Sequence, residues 1–285
     1  MKMRAILRVE AAMRAALAVL VFCKFCAPVS AQERLAWAPA DRVELVYDVF
    51  AGGRVAELAL EFGLSGSHYS IAARQSSAGV LRWIWSWESV AHVRGRFSAD
   101  GVQPDAYRVL GQSRGKSRKV AIDYRDGDPT LVTVEPTNRS DGREDVPVSL
   151  RRNTVDPVSA IMSVLRRIND GAACDARVPV FDGRQRYDIV FRDSGVQSVE
   201  ANSISIFSGS ARLCEFHWVP IAGRTKREGA PQRPEDDRRV GRAYVARFGD
   251  GPAMAPVRVE FEAWFGTVVG HLREVRRVET TNAAN

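Results

Sequence analysis

"VELVYDVFAGGRVAELALEF", residues 43–62, sets two alternating apolar rows on either side of a double glycine. Val43, Leu45, Tyr47 and Val49 form the first row; Ala56, Leu58, Leu60 and Phe62 form the second. Successive side chains of an extended chain point to opposite faces, so each row lies on one face of a half-buried strand. Gly52-Gly53 tolerates the positive φ of a tight reversal, and the stretch reads as a β-hairpin. The same pattern recurs outward in both directions. "HYSIAARQS" (68–76), "ESVAHVRGRFS" (88–98), "DAYRVLGQS" (105–113), "RKVAIDYR" (118–125) and "TLVTVEP" (130–136) are further strand candidates, punctuated by Gly, Asp or Pro. "RAYVARF", "APVRVEFEAW" and "GTVVGHLREVRRV" supply three more near the end. Strands this frequent predict an all-β fold, a large curled antiparallel sheet of half-barrel or β-spiral type.

One helix interrupts the pattern. In "TVDPVSAIMSVLRRIND", Asp156 can cap the N-terminus and Pro157 suits the first helical position. Val158, Ile161, Met162, Leu165 and Ile168 form a stripe at helical spacing that should pack on the open face or end of the sheet. Arg166 and Arg167 in the last turn complement the helix dipole. A shorter helix is also expected within "SSAGVLRWIW" (76–85).

"CDARVPVFDGRQRYDIVF" (174–191) contains a second hairpin, turning at Asp182-Gly183, with Tyr187, Ile189 and Phe191 on one face. Cys174 lies just before it, and Cys214 lies in the alternating run "ARLCEFHWVPIAG". The expectation is a disulfide stapling the hairpin to a later strand of the same sheet. A bridge across so long a loop constrains the unfolded chain by about 4 kcal/mol in the chain-entropy account. The competing reading, a reactive thiol, would want a CxxC motif or a basic activator beside the cysteine, and the sequence shows neither.

Residues 1–31 have the layout of a secretory signal peptide: basic Lys2, Arg4, Arg8 and Arg14, an apolar run from Ala15 to Phe22, and the small-x-small close Val29-Ser30-Ala31. Met13 would start a more compact signal, and an uncut N-terminal anchor is the alternative. The run falls short of the roughly 20 apolar residues that span a bilayer. Phe22 and Phe25 precede Cys23 and Cys26, where lipoprotein processing needs a small residue. Removal after Ala31 takes away five basic residues and one acidic residue, and the net charge falls from +7 to +3. The basic balance therefore gives no support to nucleic-acid binding. A periplasmic location follows, where two remaining cysteines more often pair than react. Residues 32–278 are expected to form a single β-rich domain, with a mobile charged loop at 223–241 and a frayed tail at 279–285.

Templates for catalysis and metal binding do not match. His68, His92, His217 and His271 are isolated, without HxH or HExxH spacing. "GLSGS" (63–67) is not a GxSxG nucleophile elbow, "RDGDP" (125–129) lacks a calcium-loop ligand series, and no glycine-rich loop joins a strand to a helix. No catalytic residue, metal or cofactor is expected. Trp83, Trp85 and Trp87 in "LRWIWSWES" are the unusual local feature. At period two they would share one strand face, either filling the core or forming an aromatic lip to an apolar cleft or a membrane contact. Arg82, Arg94 and Arg96 lie near enough in sequence to meet lipid headgroups.

"VYDVFAGGRVAEL" (46–58), "GVLRWIWSW" (79–87), "TVDPVSAIMSVL" (154–165), "VFDGRQRYDIVF" (180–191) and "VPIAG" (219–223) resemble, in order, exported proteobacterial proteins of the domain of unknown function 3108. The resemblance implies a periplasmic β-rich protein with no assigned reaction. By architectural analogy alone, the chain is also similar to periplasmic half-barrel proteins such as lipoprotein carriers and envelope-integrity factors. The expected function is non-enzymatic support of the cell envelope by binding a lipid or other apolar ligand in a concave sheet face, with peripheral membrane contact. The alternatives are a protein–protein interaction scaffold and an envelope hydrolase with a non-sequential site.

Overall fold

The computed structural model describes residues 41–99, 101–140, 142–224, 240–247, 254–263 and 266–278. The expected signal peptide, most of the charged loop and the tail lie outside the described residues. Seven strands come first: β1 (Asp41–Phe50), β2 (Arg54–Ser65), β3 (His68–Ser77), β4 (Trp87–Ser98), β5 (Gly101–Ser113), β6 (Lys116–Arg125) and β7 (Asp128–Glu135). A short helix, α1 (Leu81–Ile84), sits between β3 and β4. Helices α2 (Val148–Arg151) and α3 (Pro157–Asn169) follow β7. Six more strands follow among the described residues: β8 (Ala176–Phe181), β9 (Arg186–Val199), β10 (Gly209–Ala222), β11 (Gly241–Arg247), β12 (Met254–Ala263) and β13 (Gly266–Val278).

All thirteen strands form one sheet in the order β7-β6-β5-β4-β3-β2-β1-β13-β12-β11-β10-β9-β8. It consists of two antiparallel meanders joined where β1 pairs with β13, from Arg42 opposite Val278 to Phe50 opposite Val269. On the outer face that joint carries ion pairs from Arg276 to Glu44 (3.1 Å) and from Arg273 to Asp48 (3.7 Å), and Asp48 also meets Arg54 (2.7 Å). The sheet is not closed. Its edges are β7 and β8, and the chain from one to the other carries α2 and α3 across the opening.

Helix α3 meets β4 and β5 on one arm of the sheet and β8 and β12 on the other, so the sheet wraps around it. The inward residues are Ala160, Val164, Leu165 and Ile168, while Val158, Ile161 and Met162 are half-buried. The expected stripe is therefore turned toward Ala160 and Val164, because the helix is enclosed by two arms rather than laid on one face. At the seam, Val155 adds a short parallel bridge to Val180 of β8, with Val155 N–H donating to Pro179 O and Phe181 N–H to Val155 O, each at 3.0 Å. Arg184, in the β8–β9 turn, donates to the carbonyls of Glu135 (3.0 Å) and Pro136 (3.1 Å) at the end of β7. That guanidinium ties one edge of the sheet to the other.

Cys174 and Cys214 form a disulfide with Cα atoms 6.2 Å apart. Cys214 lies on β10 opposite Asp193 of β9, so the bridge fastens the segment before β8 across an intervening strand. The Asp182-Gly183 turn joins β8 to β9 as the sequence predicts. Two strand glycines make room for aromatic rings. A Cβ at Gly95 would lie 2.4 Å from the Tyr69 hydroxyl, and one at Gly241 would lie 2.4 Å from the Phe216 ring. Each glycine sits directly opposite its aromatic partner across the ladder.

Candidate functional site

The concave face carries three apolar clusters. One surrounds α3 and includes Val180, Phe191, Phe216 and the disulfide. A second runs from Tyr69 and Ile71 across Val93 and Tyr107 to Ile122, and a third joins Leu45 and Tyr47 to Val257 and Leu272. Between the second and third runs β2. Its Leu58, Leu60 and Phe62 pack against both clusters yet are only half-buried. Ladder register explains the position. Leu60 lies between Leu45 and Ala73, and Phe62 between Val43 and Ile71, all on the inward face.

The surroundings of this apolar strip mix aromatic and polar groups. Phe97 leans on Tyr69 with ring centroids 5.2 Å apart, and Arg166 places its guanidinium 5.1 Å from the Phe97 ring. Gln75 lies opposite Leu58 in the β2–β3 ladder, and its Oε1 is buried without a hydrogen-bond partner. Ser89, the next residue across on β4, is buried. A buried acceptor left unpaired normally costs about 1–3 kcal/mol, so a donor reaching Gln75 would recover that amount. The strip thus sets half-buried apolar side chains beside one unpaired acceptor.

A second polar feature sits where α3 begins. Asp156 Oδ1 accepts from Val158 N–H and Ser159 N–H, both at 2.9 Å, and its Oδ2 accepts from Ser159 Oγ at 2.5 Å. Tyr69 OH lies 2.7 Å from Ser159 Oγ; because Ser159 gives its proton to the carboxylate, Tyr69 is the donor in that contact. Burial pushes the Asp156 carboxyl up to about 6, although the Ser159 and backbone hydrogen bonds pull it down. Burial also raises Tyr69, Tyr124 and Tyr187, which remain protonated phenols. Burial likewise raises Asp182, whose carboxylate accepts from the N–H groups of Arg184 (2.8 Å) and Gln185 (2.6 Å). The sequence singled out Asp156 as a cap, and it is one. Ser159 and Tyr69 escaped notice because they meet only in three dimensions.

The three tryptophans do not share a strand face. Gly79 adopts φ +57°, and the bonds Trp83 N–H to Val80 O and Trp85 N–H to Leu81 O wind the next residues into α1. Alternation therefore stops before the run begins. Trp83 stands in solvent, 93% exposed, and Trp87 is buried at the start of β4. Trp85 is half-buried, donates from Nε1 to Ser113 Oγ (2.8 Å) and lies under the Arg114 guanidinium (4.2 Å). The expectation of a short helix here holds. Arg94 and Arg96 are on β4, on the far side of Trp87 from α1.

Among the described residues no group of His, Cys, Asp or Glu could hold a metal ion, and no helix is long and apolar enough to cross a membrane. The disulfide accords with an exported protein. No curated protein matches the chain. Among solved structures the chain is similar to a β-barrel-like protein of domain of unknown function DUF1849 from Brucella abortus, at 11% identity and a TM-score of 0.50, over 85% of this chain and 100% of that one. At that identity the likeness concerns the fold alone. A family model described as a protein of unknown function, DUF3108, matches residues 45–273, from β1 to β13. The chain belongs to the DUF3108 family.

Proposed function

We propose that this protein is a non-enzymatic component of the cell envelope, exported to the periplasm, which holds a lipid or other apolar molecule on its concave face. The observation that carries the reading is the half-buried strip Leu58-Leu60-Phe62, lying between two closed cores beside the unpartnered Gln75 Oε1. Ligand sites are concave, mostly apolar and furnished with a few polar groups that fix orientation. A long-chain molecule bearing one hydroxyl or amide N–H matches that chemistry. Export is supported by the signal-like first 31 residues and by the disulfide, since such bridges persist in oxidising compartments. The Ser159–Asp156 pair supports a structural role over catalysis, because both side chains are buried and their bonds cap a helix.

Native mass spectrometry of the purified protein incubated with envelope lipid extract tests the proposal. A retained lipid that is lost in Phe62→Ser and weakened about tenfold in Gln75→Leu, roughly the worth of one buried hydrogen bond, is the expected result. Protein that carries no lipid and takes none up would dismiss it. A second reading, docking of another envelope protein, is favoured by β7, an edge strand of the sheet with Leu131 60% exposed.

A further inference from the structure

Among the described residues, the α1 turn gathers three apolar side chains in solvent within five positions. Trp83 is 93% exposed, and Val80 and Ile84 beside it are each 74% exposed. None of the three belongs to an apolar cluster. The turn is nevertheless fixed to the sheet. Ala78 N–H donates to Val55 O at 2.8 Å, and Trp85 is bonded to Ser113 on β5. Gly79 passes so close to Arg54 that a Cβ there would lie 2.2 Å from the Arg54 carbonyl. A rigid mount therefore presents a bare tip.

The surroundings of the tip are cationic. Arg82 is on α1 itself and exposed, and the adjacent β5–β6 turn brings exposed Arg114 and Lys116, with Arg114 stacked on Trp85. Residues 78–86 and 113–119 contain no acidic side chain; the strands beside them carry Glu88, exposed and opposite Gln112, and Glu57, which pairs with Arg54 and Arg273. The β1–β2 turn, Ala51-Gly52-Gly53, lies at the same end of the meander and adds no charge. An indole at the tip, two aliphatic side chains beside it and a collar of arginine and lysine is the combination that suits the boundary between acyl chains and anionic headgroups. A protein partner fits less well, because a stable interface needs about 800 Å² from each side and this tip is a single turn.

We infer that the α1 turn is a membrane-surface anchor: Trp83, Val80 and Ile84 enter the headgroup region of an anionic bilayer while Arg82, Arg114 and Lys116 meet lipid phosphates. The site is separate from the concave strip, so either can fail without the other. The test is co-sedimentation of the full chain with vesicles of phosphatidylethanolamine and phosphatidylglycerol, beside vesicles of phosphatidylcholine alone. Trp83→Ser with Ile84→Ser should lower partitioning into the anionic vesicles by about tenfold or more, with an unchanged circular dichroism spectrum. Arg82→Glu with Lys116→Glu should lower it by a similar factor and weaken its salt dependence. Brominated acyl chains should quench emission in the wild type more than in Trp83→Phe. Every variant keeps the same N-terminus, so differences between them read the turn alone. Equal partitioning of wild type and the serine variant would overturn the inference. So would a serine variant that binds vesicles normally but loses a crosslinked protein partner.

Discussion

Asp156 accepts three hydrogen bonds in a fully buried position, and its carboxyl still titrates near 6 because burial outweighs them. The folded-state value lies above the ordinary 3.8, so the folded protein holds a proton that the unfolded chain has already released. The stability this confers is complete below about pH 4 and is lost as the pH rises through about 6, to the extent of about 3 kcal/mol at most. Asp156→Asn keeps an acceptor at the cap and removes the titration. It is expected to flatten the urea midpoint between pH 4 and pH 7, and at pH 7.5 to be at least as stable as the wild type. Asp156→Ala removes the cap, worth about 1–2 kcal/mol, together with the titration, so its deficit against the wild type should be larger at pH 4 than at pH 7.5. Gly95 gives a second expectation at this scale. A methyl group there meets the Tyr69 hydroxyl, itself bonded to Ser159, so Gly95→Ala should be destabilised by about 1–3 kcal/mol in chemical denaturation. The sequence alone marks Asp156 but gives no sign of Gly95. A cap is a local arrangement of neighbours in the chain, whereas the room beneath a ring depends on which strand lies opposite.

The elements divide in the same way. Period two marks the strands, and Pro157 after a capping aspartate marks α3, because each is decided within a few residues. The Trp83-Trp85-Trp87 run misleads because period two describes side-chain direction only while the chain stays extended, and positive φ at Gly79 ends that extension. The closing of the seam is equally hidden. Arg184 reads as one more arginine in a hairpin turn, yet its guanidinium is buried and bonded to Glu135 O and Pro136 O of the opposite edge. Arg184→Ala leaves those carbonyls without that donor. Amide hydrogen exchange should quicken in β7 and in residues 136–147 while the β1–β2 ladder exchanges as before. Uniform exchange across both regions would mean that the Arg184 bonds do not hold that edge.

For the molecule as a whole, what could be read beforehand is the class of fold and the covalent link between Cys174 and Cys214. The order of strands could not be, because nothing local to β1 or β13 says that they pair with each other. Reduction of the disulfide, or Cys174→Ala with Cys214→Ala, is expected to lower stability by up to about 4 kcal/mol for a sequence separation of 40, read as a lower denaturation midpoint. Fluorescence and circular dichroism should report the same shift, since the bridge lies inside the cluster around α3.

The β1–β13 ladder has a consequence for how the chain is made. Within each meander every strand pairs with the next strand in the chain, so each half can zip up hairpin by hairpin as it emerges. β1 alone must wait for a partner more than two hundred positions downstream, such as Arg276 for Glu44. Until the final strand arrives, the newborn amino-terminal half shows a raw, adhesive border to its surroundings. Premature termination anywhere before β13 would thus leave β1 without its partner, and such fragments should clump or be degraded instead of persisting as a smaller fold.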